Sequence, residues 1–440
     1  MVSKNLLSAL KKISLGREKI STGGYLIIII LLGVFFEGAA GKWVNPQLGQ
    51  VAVLFRDFLC ILFVCIAFNK ARFQCYFPGL VKVFFVLSGA LLFWGAVQSF
   101  VNQTPIYIYI LGLRFWLLYQ WVAILAASTL KNNELIAVAR VAVMLLVAAT
   151  PLAVMQHLLP PGSFLNSQVD TDEDSIFTVT SGIVRTTGTF SFTTGYALFI
   201  SFCIPLVLTN SLFGRQIFNS RYFKNISLVA LLVSSLVSGS RTAVISLGLF
   251  LGIYLIVELF WHKKIQKKIF SPLLFSIFSV VLLPFIFPDV IPSLLDRFSS
   301  AGESENILER LFSTVFGESS LLDSYSAFGY TIGSSSNVAS YFMTGSRDFL
   351  FGETESSRVL SEAGIFGFIW IIFKLVFFFW GCLSKYRINF ERKNSGYITY
   401  WSVCLVALMT WPVIGQLSIN AIAGFVVMFS LSSLRLTIDN

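Results

Sequence analysis

The sequence is short of charge. Only 12% of its 440 residues are Asp, Glu, Lys or Arg, against about 25% in an ordinary soluble domain. Acids are the scarcer sign, 22 against 32 Lys and Arg, and there are only two histidines. So little polar surface cannot cover a soluble protein of this size. A soluble enzyme, a disordered chain and a secreted disulfide scaffold are excluded. The six cysteines form no CxxC pair and no Cys/His spacing that would hold a metal. Cys60, Cys65, Cys203, Cys382 and Cys404 sit in apolar runs, and Cys75 in a short basic connection. No P-loop, GxSxG or DxD pair stands in a plausible place, and no repeat or low-complexity tail is visible.

What is present is apolar. Hydrophobic residues make up 56%, aromatics 15%, and Phe alone occurs 45 times. Mean hydropathy is +0.78. The apolar runs are continuous rather than alternating, which predicts an all-α polytopic membrane protein and not a β-barrel. Runs of spanning length, or nearly so, fall at about 25–41, 49–68, 79–100, 108–128, 135–157, 193–211, 225–239, 242–260, 271–288, 359–382, 398–414 and 419–436. The sequence therefore predicts about twelve transmembrane helices in one integral-membrane domain, 1–440.

Charge orients them. With the N-terminus cytoplasmic, 22 of the 32 Lys and Arg fall on the inner side and seven on the outer. The acids reverse this, with five of 22 inside and sixteen outside. Every basic connection lands on one face, as the positive-inside rule requires. Both termini are then cytoplasmic. The basic balance reflects topology and points to no nucleic acid. The N-terminus also has the pattern of a signal peptide: a basic stretch, an apolar run Leu26–Phe36, then Gly38-Ala39-Ala40. Glu37 abuts that run, so a retained first span is expected.

Two outer connections are long, 158–192 and 289–358. Loops of that length are usually functional. The first carries an acidic cluster, Asp170, Asp172, Glu173 and Asp174, and ends in Arg185-Thr-Thr-Gly188-Thr-Phe190. The second includes an amphipathic stretch, Glu303–Phe316, then Gly329-Tyr330-Thr-Ile-Gly333, then Glu355-Ser-Ser-Arg358-Val-Leu-Ser-Glu362. A third outer feature is the tip between the seventh and eighth runs, Ser238-Gly239-Ser240-Arg241.

Arginine stays charged, and its planar fork matches phosphate oxygens. An outer face that is otherwise acidic needs a reason for its few arginines. Arg185 and Arg241 sit where loops meet the membrane boundary, and Arg56 and Arg114 in the outer halves of two spans. An outward pocket for a lipid-linked phosphate or pyrophosphate is the coherent reading. The competing reading is structural: Arg241 snorkelling, Arg56 paired with Asp57 or another span, Arg114 likewise, and Arg297 and Arg310 as exposed loop charges. A general base on the same side is Glu355 or His157. Glu362, four residues past Arg358, has the spacing of a helical salt bridge, which leaves Glu355 the freer carboxylate.

These motifs, in this order and on this side, resemble the O-antigen polymerase and O-antigen ligase superfamily. The resemblance covers about residues 180–380 by motif and the whole chain by topology. It implies a membrane glycosyltransferase of GT-C type in the bacterial inner membrane, with its active site facing the periplasm. The implied donor is an undecaprenyl-pyrophosphate-linked glycan, with no metal or other cofactor. A polysaccharide chain-length regulator is an implied partner besides the bilayer. Arg185 and Arg241 match the family's key arginines. Arg56, Arg114, Arg310, Arg347, Arg358 and Tyr330 are expected to bind substrate. The ligase branch carries a histidine in the large outer loop, whereas 289–358 has none. This favours the polymerase branch, as does the Arg185-x9-Gly195 spacing. A ligase and a lipid-linked oligosaccharide flippase are the alternatives.

Overall fold

The computed structural model describes residues 20–167, 184–213, 215–262, 307–318, 321, 325–336, 339, 352, 354–387 and 396–435. About 78% is helical. The helices are α1 Thr22–Trp43, α2 Pro46–Ala71, α3 Pro78–Val101, α4 Ile106–Thr129, α5 Asn132–Leu158, α6 Thr193–Thr209, α7 Arg221–Val237, α8 Arg241–His262, α9 Ile307–Phe316, α10 Glu355–Ala363, α11 Ile365–Ser384, α12 Gly396–Thr410 and α13 Leu417–Ser433. A two-residue antiparallel ladder, Ser211–Leu212 with Arg215–Gln216, is the only sheet among the described residues.

Among the described residues, seven helices are long and apolar enough to cross a membrane: α1 to α5, α8 and α11. Three more, α6, α12 and α13, are apolar but shorter. The run at 271–288 lies outside the described residues. One boundary differs from the sequence expectation. The run from 359 breaks at Gly364, whose φ of +55° is left-handed, so α10 stands apart and the long helix begins at Ile365.

Local chemistry explains the helix ends. Asn45 caps α2 by accepting from the Gln47 amide at 2.8 Å, with Pro46 at the first helical position. Glu134 serves two helix starts: its oxygens accept from the Lys131 amide at 2.7 Å and the Ser21 amide at 2.6 Å. Arg435 donates to the carbonyls of Leu130, at 2.6 Å, and Ala127, which end α4. Inside α4 the residues Arg114–Leu118 form a wider π turn. Asn420 of α13 donates to the Phe115 carbonyl at 2.6 Å, so the turn's disrupted ladder is satisfied from a neighbour.

The core is formed by α6 and α13, nearly every residue of which is buried. α13 packs against the second half of α4, and both helices pack against each other and against α12. The outer surface of α2 and α3 exposes Leu54, Phe55, Phe58, Phe85, Val86 and Phe93. Apolar side chains turned outward suit a lipid solvent. Between α5, α6 and α7 a polar node replaces close apolar contact. Tyr196 donates to Ser234 at 3.0 Å, and Ser234 shares a 2.9 Å hydrogen bond with Thr150. That node ties α7 to the two helices on either side of the Arg185 segment.

Candidate functional site

Arg185 stands on the short segment that leads into α6. The segment turns at Gly188, where φ is +56°, a conformation that glycine adopts without strain. The Phe190 amide donates to the Thr187 carbonyl at 3.0 Å. Thr186 to Phe190 are buried. Buried backbone needs partners, and two side chains provide them. Gln156, near the end of α5, accepts from the Gly188 amide at 2.8 Å and donates to the Leu165 carbonyl at 2.8 Å. Lys42, near the end of α1, donates to the Thr187 hydroxyl and to the Gly188 carbonyl, both at 2.7 Å. Gly38 of α1 lies against the Phe190–Ser191 backbone, where a Cβ would collide. The segment is therefore clamped from two helices. Arg185, half-buried, projects from a rigid support.

Arg241 is the first residue of α8. The chain reverses at Gly239, φ +61°, and Ser238 accepts from the Ser240 amide at 3.2 Å. The hairpin brings Arg241 within electrostatic reach of Arg185. Burial, and then the charge of Arg241, hold the Arg185 guanidinium below its ordinary range. Each of the two turns thus ends in an arginine, and the two charges are near enough to act on each other. His157, half-buried, adjoins Gln156 on the last turn of α5.

Arg56 and Arg114 belong to a different assembly. Arg56 pairs with Glu37 and lies 3.6 Å from Asp57, and Arg114 pairs with Asp57. Tyr119 donates to Asp57 at 2.9 Å, and Ser418 donates to Glu37 at 2.6 Å. The Arg56 guanidinium lies 5.4 Å from the centre of the Tyr119 ring. Two guanidinium and two carboxylate groups make this network formally neutral. It joins α1, α2, α4 and α13 inside the bundle. The sequence offered two readings here, phosphate binding and structural pairing; the structure gives both arginines carboxylate partners.

The carboxylates of α10 also differ from expectation. One Glu355 oxygen takes the Lys374 ammonium at 3.1 Å, and the other accepts from the Ile414 amide at 3.1 Å. Glu355 is thus an anchor between α10, α11 and the α12–α13 connection, and not a freer carboxylate. Glu362 accepts from the Ser335 amide at 2.8 Å, the Ser335 hydroxyl at 2.6 Å and the Trp116 indole at 2.7 Å. Arg358 is fully buried; its Nε donates to the Gly352 carbonyl at 3.2 Å, and its guanidinium lies against Gly415. Tyr330 is half-exposed on a fixed backbone, its amide donating to the Ser361 carbonyl at 2.9 Å. Arg310 falls on α9, and Arg347 lies outside the described residues, as do Arg297 and the 170–174 acidic cluster.

The structure thus places Arg185 and Arg241 near each other, whereas Arg56 and Arg114 are held by carboxylates and Arg358 is buried against Gly415. Sequence reasoning missed Lys42, Gln156 and Glu37 as organisers. Lys42 had one signal, a lysine on an outer face otherwise poor in bases. Gln156 had none, because its role depends on a fold contact 32 residues away. The chain matches no protein-family model and no curated protein sequence.

Proposed function

We propose that the chain is a membrane glycosyltransferase that polymerises undecaprenyl-pyrophosphate-linked oligosaccharide repeats on the outer face of a bacterial inner membrane. The reading rests on the resemblance above. The observation that carries it is the proximity of Arg185 and Arg241 on two clamped turns. In this reading the chain crosses the membrane twelve times with both termini cytoplasmic, and 289–358 is periplasmic.

The donor is the growing polymer on its pyrophosphate carrier. The bond from the donor's anomeric carbon to the pyrophosphate oxygen breaks. A new glycosidic bond forms to a hydroxyl of the incoming lipid-linked repeat. The hydroxyl proton passes to a base, and polyprenyl pyrophosphate leaves. Arg185 and Arg241 stabilise the negative charge that grows on the leaving group. For the proton, the observations favour His157 over Glu355, because both Glu355 oxygens are already engaged.

Reconstitution with undecaprenyl-pyrophosphate-linked repeats, followed by mass analysis of the lipid-linked products, tests this. The expected product is a ladder of repeats still on the carrier, with free carrier pyrophosphate released. Arg241→Ala should slow the ladder by roughly 100-fold or more while the protein stays folded. Transfer that occurs only when lipid A core or another acceptor is added would replace this reading with a ligase. Unchanged repeats under both conditions would point to transport.

A further inference from the structure

α5 contains one arginine, Arg140, and it lies on the face of the helix turned away from the core. Asn133, Ala148, Pro151 and Met155 mark that face: all are exposed, at helical spacing from Arg140. Arg140 stands about 12 Å from the start of α5. An arginine at that depth turns its head towards the nearer headgroup layer, and side chains of a helix already lean towards its start. The Arg140 Nε donates to the Ile217 carbonyl at 2.6 Å. The rest of its planar fork has no partner among the described residues.

The support is stiff. Ile217 belongs to the hairpin that holds the Ser211–Leu212 ladder. Its amide donates to the Asn210 carbonyl at 2.9 Å, and the Asn210 side chain brackets Phe218, donating to its carbonyl at 2.9 Å and accepting from its amide at 3.0 Å. Arg215 of the same hairpin donates to the Asn133 side chain at 3.2 Å, two turns from Arg140 on the same face of α5. Arg221 opens α7 a few residues past Ile217. Thr150 and Ser234 share a 2.9 Å hydrogen bond farther along α5 and α7, so the two helices run in the same direction. The same count back along each sets Arg140 level with Lys224, in the first turn of α7.

Three guanidinium groups therefore meet at one corner, and none pairs with a carboxylate among the described residues. α5, the hairpin and α7 contain one acid, Glu134. It is buried and takes the Ser21 and Lys131 amides. Glu258, towards the end of the neighbouring α8, hydrogen bonds with Tyr254. Beyond the corner, Tyr222 is 84% exposed, and Ile226 and Val229 continue its face along α7. An exposed tyrosine at the start of a span suits the membrane interface. The forks match a phosphate, and the apolar faces of α5 and α7 match acyl chains. A soluble phosphate would use only the forks.

We infer that the corner where α5 and α7 begin binds an anionic glycerophospholipid, its phosphate held by Arg140, Arg215 and Arg221. In the proposed topology this is the cytoplasmic leaflet. The inference draws on neither Arg185 nor Arg241 and stands apart from the polymerisation reading.

The test is native mass spectrometry of the purified full chain, titrated in mixed micelles with equal amounts of anionic phosphatidylglycerol and zwitterionic phosphatidylethanolamine. The wild type should retain phosphatidylglycerol in preference. Arg140→Gln should weaken that binding about 10–100-fold, the loss expected for a charge-assisted hydrogen bond. Arg215→Gln and Arg221→Gln should each weaken it about 5-fold, the contribution of one basic residue near a membrane surface. Phosphatidylethanolamine binding should change little in all three. Lys82→Gln is the control. It removes the same charge from an exposed position at the start of α3, and should leave the preference in place. If Arg140→Gln does not fold, the double variant Arg215→Gln with Arg221→Gln carries the test, because both side chains are exposed.

Folded wild type that retains the two lipids equally would overturn the inference. So would a double variant with the wild-type preference. A loss in Lys82→Gln as large as in Arg215→Gln would reduce the corner to part of a generally basic face. Inorganic phosphate bound as tightly as phosphatidylglycerol would make a soluble phosphate the occupant and remove the lipid assignment.

Discussion

Arg56 and Arg241 are both arginines that the sequence places near the outer boundary, yet their surroundings differ. Arg56 is 1% exposed and faces Glu37, which is equally buried. Removing one member of such a pair strands the other charge in a low dielectric. Arg56→Met should therefore destabilise the protein by about 3–5 kcal/mol. The double change Glu37→Gln with Arg56→Met should recover most of that loss, because no uncompensated charge remains between them. Thermal unfolding of the two single variants and the double variant in detergent gives the coupling. Arg56→Met melting like wild type would show that the pair contributes little. Arg241, half-buried at a helix start, should behave in the other way: little change in melting and a large loss of polymerisation. That contrast was not legible in the sequence. Both residues are simply arginine beside the membrane there. The deciding fact, a glutamate 19 residues earlier on the preceding helix, appears only when α1 packs on α2.

At the scale of elements, the segment 326–336 with α10 is the part least like a simple helix bundle. Gly329 and Gly333 have φ of +79° and +96°. Gly333 sits against the backbone of Ile108 and Gly112 on α4, where a side chain would clash. Gln98 donates to the Glu362 carbonyl at 2.8 Å, and Trp94 to the Ala363 carbonyl at 3.1 Å. Non-helical backbone packed between helices is tolerated only when its polar groups are satisfied in this way. Glu362, outside the spanning helices, is the centre of that latch. Burial pushes its carboxyl above the ordinary range, and the bonds from Gly333, Ser335 and Trp116 oppose this only in part. The sign follows from linkage. A carboxyl with a raised folded pKa holds its proton in the folded state after the unfolded chain has lost it. Its contribution is present at low pH and fades as pH rises above the usual carboxylate range. The wild type should therefore lose melting temperature from pH 5 to pH 8 by a component absent in Glu362→Gln. Identical pH profiles for the two proteins would refute the latch as described. The apolar runs that seed α1 to α8 and α11 to α13 could be read from hydropathy, because lipid demands them one helix at a time. The break at Gly364 could not, since Val359, Leu360 and Ala363 extend the apolar stretch backward across Ser361 and Glu362. It follows from the Ala327 carbonyl accepting the Ile365 amide at 2.9 Å, a contact set by the loop.

For the whole molecule, the charge asymmetry makes a prediction that the helices alone do not. Lys263, Lys264, Lys267 and Lys268 follow α8, whereas the acids of 289–358 precede α10. A single additional crossing must separate those two groups if the positive-inside rule holds across the chain. The apolar run at 271–288 is the candidate for it. In the proposed reading Arg185 and Arg241 are then on the same face as the large loop, where a lipid-linked glycan would be presented. Reporter fusions test the arrangement directly. A fluorescent protein joined after residue 268 should fold and fluoresce in the cytoplasm. Alkaline phosphatase joined within 320–345 should be active, which requires export. A fusion at the C-terminus should again fluoresce. Fluorescence at both 268 and the 320–345 site would mean that 271–288 does not cross. The count would then fall to an odd number, and the two ends of the chain would lie on opposite sides. The arginine pair and the loop could then no longer share a face, and a site built from both would have to be abandoned.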